Sequence, residues 1–219
     1  MLEIDWSAPK PDPQEWAVKL YPELQVTRHQ IEHPAITAVL DMVNRTHSNG
    51  GALFACFDIA PHPVLTWYGS YGRLDEIDFV DQFVALPAIA QAWPEMFAKY
   101  RLQKRVLEAT NRPVSLQRLD PFTFDGAIAN LVYRGGADGQ FTTTPAQAKQ
   151  MGVAFSNALF EDRYDEVFIW HSYELWTTWF LGIGNGTYSF WDVTYFGLDK
   201  RHSTVWLLCV TDSDCRRRS

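Results

Sequence analysis

The stretch TYSFWDVTYFGLDKRHSTVWLLCV, residues 187–210, decides the fold. Two runs rich in aromatic and β-branched residues, 187–196 and 204–210, flank Gly197-Leu198-Asp199-Lys200-Arg201-His202, the pattern of two antiparallel strands and their connection. Alternation along the first run puts Tyr188, Phe190, Asp192, Thr194 and Phe196 on one face, and Ser189, Trp191, Val193 and Tyr195 on the other. Both faces are aromatic, so both should meet something. The wider segment 168–206 carries five of the nine tryptophans, Trp170, Trp176, Trp179, Trp191 and Trp206, a density that builds either a core or a binding face.

Upstream, residues 166–171 read as a buried strand. Ser172 can cap a short helix whose Tyr173, Trp176, Trp179 and Phe180 share a face until Gly182. Asn185-Gly186 offers a competing hairpin. Thr144-Pro145 supplies a cap followed by proline at the first helical position, opening a helix with Ala148, Met151, Phe155 and Leu159 inside. Residues 125–133 predict a shorter helix ending at Gly135-Gly136, and 75–110 a helical stretch interrupted at Pro87 and Pro94. Asn111-Arg112-Pro113 stops that stretch and marks the one candidate internal joint, near 111–124, of what is otherwise a single compact domain spanning 1–219.

In the first half, Ile36, Val39, Leu40 and Val43 repeat at helical spacing after Pro34. Residues 52–59 and 64–70 are apolar runs separated by Pro61-His62-Pro63, and they predict a second antiparallel hairpin. The first thirty residues, punctuated by Pro9, Pro11, Pro13 and Pro22, are expected to wrap extended over the body apart from a turn of helix near 14–21. Strands grouped with strands indicate an α+β fold, a mostly antiparallel sheet covered by helices; two hairpins also admit two pseudo-duplicated halves.

The 219 residues are 47% hydrophobic, enough for a sizeable core, and carry a formal charge of −7. That balance argues against nucleic acid or anionic membrane as a partner and is compatible with a basic protein. Cys56, Cys209 and Cys215 have no zinc or disulfide spacing, the usage of a reducing compartment. With no signal peptide at the start and no apolar run of membrane length, a cytoplasmic location is expected. No cofactor is expected, and the oligomeric state is left open.

Two sets of residues compete for function. As a binding surface, Trp176, Trp179, Trp191, Asp192 and Tyr195 would present aromatic rings and an acid to another protein, in the manner of inhibitor or immunity proteins. As a catalytic set, His171, Glu174 and Asp192 would supply a general acid/base or divalent-metal cluster for a hydrolase or transferase, provided their strands are neighbours. Asp212 and Asp214, one residue apart after the last strand, are the weaker metal candidates. His29, His33 and His47 have no ligand spacing and are given no role. A buried Asp192 must be hydrogen-bonded, so if it only anchors the aromatic layer, Asp192→Asn is expected to cost roughly 1–3 kcal/mol. With no recognisable catalytic motif in the chain, the non-catalytic role is the one expected.

Overall fold

A computed structural model describes residues 7–12, 15–47, 50–99, 116–136, 142–173 and 192–212. The fold is α+β. Among the described residues, six strands form one antiparallel sheet: β1 (Val26–His29), β2 (Gly51–Ile59), β3 (Gln117–Leu119), β4 (Val167–Ser172), β5 (Val193–Asp199) and β6 (Thr204–Thr211), in the order β1-β2-β6-β5-β4-β3.

The expected hairpin at the C-terminal end is present. β5 and β6 pair from Val193 opposite Val210 to Asp199 opposite Thr204. Residues 187–191 of the longer strand expected there lie outside the described residues, as do the helix expected after Ser172 and the competing turn at Asn185-Gly186. Both faces of β5 and β6 are buried, which explains why their sequences are nearly continuous apolar runs.

Helices cover the two faces. On one lie α1 (Pro34–Thr46), α6 (Pro121–Arg134) and α7 (Pro145–Phe160), which bury Ile36, Val43, Phe124, Ile128 and Phe155 against Cys56, Ile169, Tyr195, Trp206 and Leu208 of the sheet. On the other lie α2 (Pro63–Ser70), α3 (Phe79–Val84), α4 (Pro87–Ala92) and α5 (Pro94–Lys99), with Tyr68, Phe79, Phe83 and Trp93 against Phe57, Trp170, Phe196 and Leu207. Gly197 in β5 leaves room for the Trp206 indole across the pair, because a Cβ there would sit 2.0 Å from the ring.

Local sequence explains the helix starts. His33, His62, Asp120 and Thr144 each precede a proline at the first helical position, and each side chain accepts a hydrogen bond from a backbone N–H of the first turn. At α7 the cap is reciprocal, with Gln147 closing back on the Thr144 backbone.

Two expectations are corrected. Residues 63–70 are the helix α2 rather than a strand paired with 52–59; the His62 cap and Pro63 start a helix, and an eight-residue apolar run fits a buried helix as well as a strand. The hairpin at 193–211 therefore has no counterpart at 52–70. The proline-punctuated start also contributes more than an extended wrap: after helical turns at Trp16–Leu20 and Tyr21–Glu23, Val26–His29 joins the sheet as its edge strand.

Candidate functional site

Asp192 directly precedes β5, and extending the β5–β6 register by one residue sets it opposite Thr211. It is 1% exposed, and neither carboxylate oxygen has a well-formed hydrogen bond. Burial pushes its carboxyl up to about 6. The Thr211 hydroxyl and the Asp212 amide are close enough to draw it part of the way back, while the Asp212 charge adds to the rise.

Asp212 is also buried, on the other side of the chain from Thr211 by strand alternation. Gly136, just past α6, backs onto it. A Cβ at Gly136 would lie 2.1 Å from Asp212 Oδ2 and 2.6 Å from the Thr46 carbonyl, so only glycine permits this approach. The Gly136 N–H donates to that carbonyl at 3.2 Å. Next to it, His47 ends α1 with Nδ1 3.0 Å from the Val43 carbonyl and 3.0 Å from Thr46 Oγ1. Burial lowers the His47 pKa against the opposing pull of Asp212, so the ring stands neutral beside the acid. His47 and Asp212 thus make a buried polar knot where α1, α6 and β6 meet. His47 had no spacing signal, since what places it is the end of a helix and a distant strand end.

His171, at the end of β4, does not join Asp192. It is paired with Tyr195, ring centroids 6.2 Å apart, on the face that carries Ile169, whereas alternation sends Asp192 to the face of Thr194 and Phe196. The sheet separates the two. Burial lowers the His171 pKa, and its Nδ1 has no partner among the described residues. Glu174, Trp176, Trp179, Trp191 and Asp214 lie outside the described residues. Tyr195 is in the core, its ring 5.5 Å from Phe124, and offers no surface to a macromolecule. Among the described residues, no group of three His, Cys, Asp or Glu side chains converges to hold a metal ion. Nor is any described helix long and apolar enough to cross a membrane.

An aromatic and acidic surface does occur, elsewhere. Because Asp120 caps α6 through the Phe122 amide, the Phe122 side chain projects outward from the first turn. It is 71% exposed, and its ring stacks on Tyr164 with centroids 4.8 Å apart and planes 9° apart. Asp120, Glu161, Asp162 and Asp165 are exposed next to these two rings in the chain. The nearby cations are engaged: Arg163 with Glu161 and Asp199, Lys149 with Asp125, and Lys200 with the Asp165 carbonyl. In the sequence Pro121-Phe122-Thr123-Phe124 reads simply as the start of a helix, and nothing local marks Phe122 as exposed.

Comparison of the sequence with protein-family models and with curated proteins finds no match.

Proposed function

We propose that this chain is a non-catalytic, cytoplasmic recognition protein that binds a basic protein partner through an acidic and aromatic surface, as inhibitor and immunity proteins do. The observation that carries the reading is the exposed Phe122 ring, stacked on Tyr164 and flanked in the chain by exposed carboxylates. A rigid aromatic pair supplies buried area on binding at little entropic cost, and surrounding acids steer a cationic partner and fix its register. The net charge of −7 has the same sign as the patch. Neither nucleic acid nor membrane fits this electrostatics. Separation of His171 from Asp192 by the sheet weighs against the acid/base set that an enzymatic reading would need.

The test is capture from lysate with identification of the partner, followed by affinity measurements on the purified pair. Phe122→Ala is expected to weaken binding about tenfold or more, the cost of truncating an aromatic anchor, and Asp165→Lys to slow association and reduce its salt dependence, both with an unchanged melting temperature. Binding indifferent to both substitutions would remove this surface from the reading. Turnover of an ester or phosphoester abolished by Asp192→Asn in a folded protein would replace recognition with catalysis.

A further inference from the structure

Residues 7–12, Ser-Ala-Pro-Lys-Pro-Asp, lie along α2. Pro9 and Pro11 fix their own φ, and each pushes the residue before it to extended backbone, so the segment has the makings of a polyproline II turn with three residues per repeat. Burial follows that repeat: Ala8 and Pro11 are half-buried, while Ser7, Pro9, Lys10 and Asp12 are exposed. The carbonyls of the same two residues are the ones gripped. Trp67 Nε1–H donates to the Ala8 carbonyl at 3.2 Å, and the Tyr68 hydroxyl donates to the Pro11 carbonyl at 3.2 Å. Two donors on adjacent residues of α2 therefore match two acceptors one polyproline turn apart.

The shelf under the segment is aromatic. Trp67 stacks on Tyr71, centroids 4.4 Å apart, and meets Tyr68 edge-on at 5.0 Å; Tyr71 remains 38% exposed. At the rim, Glu76 holds Lys10 Nζ at 2.6 Å. Apart from Ala8, which packs against the core beneath, these contacts read backbone and charge. Ring faces, a Trp N–H and a Tyr O–H aimed at backbone carbonyls, and one carboxylate for a neighbouring cation would serve any proline-rich segment carrying a Lys or Arg. The Lys10–Glu76 ion pair is solvent-exposed and each of the two carbonyl hydrogen bonds contributes modestly.

From this match we infer that the Trp67–Tyr68–Tyr71 shelf is a docking site for a proline-rich, cation-bearing segment of a partner protein, and that residues 7–12 occupy it as an in-chain placeholder. The site is separate from the Phe122 surface and does not depend on it. A tethered placeholder competes at a local concentration of about millimolar, so a partner segment binds in proportion to the fraction of chains with the shelf uncovered.

The test uses the full chain and a fluorescein-labelled peptide of residues 7–12, read by anisotropy. Pro9→Ala/Pro11→Ala in the chain uncovers the shelf and is expected to tighten peptide binding at least about tenfold over wild type. The same peptide with alanine for both prolines should not bind. In the uncovered chain, Trp67→Phe should weaken binding by removing the N–H while keeping a ring. Glu76→Gln, at an exposed position that does not threaten folding, should weaken it and remove its salt dependence. An uncovered, folded chain that binds the proline and alanine peptides alike overturns the proposal. So does a concentration-dependent wild-type dimer lost on Pro9→Ala/Pro11→Ala, which would make a second copy the occupant.

Discussion

Replacing Asp192 with Asn should stabilise this protein at neutral pH, the reverse of the sequence-based expectation. The carboxyl is 1% exposed and burial raises it from 3.8 to about 6. A raised acid binds its proton more tightly in the folded than in the unfolded state, so stability is highest while both are protonated. It falls as pH rises from about 4 to about 6 and remains lower above that. At ~1.4 kcal/mol per tenfold, the full loss is about 3 kcal/mol. Asn is neutral throughout and keeps an oxygen for the Thr211 hydroxyl or the Asp212 amide. Its new N–H groups arrive without an evident acceptor, at a cost of about 1 kcal/mol. The net gain at pH 8 is about 2 kcal/mol, or a melting temperature higher by roughly 4–8 °C for a chain of this length. At pH 4 the gain should vanish and the variant become slightly the less stable. Urea unfolding of both proteins at pH 4, 5, 6 and 8 measures this directly. A variant less stable by the same margin at every pH would mean that a partner holds Asp192 charged, and the reasoning would fail.

Other outcomes follow from particular contacts. Gly197→Ala forces a methyl group into the Trp206 indole and should cost about 3 kcal/mol or more, seen as a lower urea midpoint. Arg163→Ala strips the guanidinium from Asp199, 3% exposed, and leaves the His202 Nδ1 contact at 2.9 Å. Burial alone would raise the Asp199 pKa, but hydrogen bonds from His202 and Arg163 hold it below the usual range, so the loss should be about 3 kcal/mol at pH 7 and shrink in acid as the carboxylate protonates. Thr144→Ala removes the hydroxyl that accepts the Gln147 N–H, leaving only the Gln147 side chain on the Thr144 backbone N–H, and should cost about 1 kcal/mol by thermal melt. Burial pushes the Cys56 and Cys209 thiols up to about 12, so peptide-level alkylation at pH 8 should label neither until denaturant is added.

Periodicity and caps carried much of the architecture. Thr144-Pro145 announced α7, Ile36 to Val43 announced α1, and the runs around Gly197 announced β5 and β6, because in each case a local signal and the hydrophobic pattern agree. Val64 to Ser70 carries two conflicting signals. His62-Pro63 opens a helix as His33-Pro34 does, but the apolar run behind it drew the strand reading. Strand β1 was hidden because its alternation, Val26 and Arg28 half-buried and Thr27 and His29 exposed, is short and mostly polar. The site was less legible. Whether His171 meets Asp192 depends on which face each strand turns to the other, and that register is set by nonlocal pairing. The His47–Asp212 knot joins residues far apart in the chain, and the exposure of Phe122 depends on where the first turn of α6 points.

Strand β6 lies in the middle of the sheet, yet its partner β2 precedes it by about 150 residues, from the pairing of Gly51 with Thr211 and Asp58 with Thr204. A ribosome releases the β2 edge long before the strand that covers it. Until then Leu53, Ala55 and Phe57 stand next to an open row of backbone donors and acceptors, an invitation to pair with another nascent chain. Closure across so long a loop is also slow. Synthesis of this protein should therefore depend on chaperones that shield residues 51–59, and yield should fall with temperature sooner than the folded molecule melts.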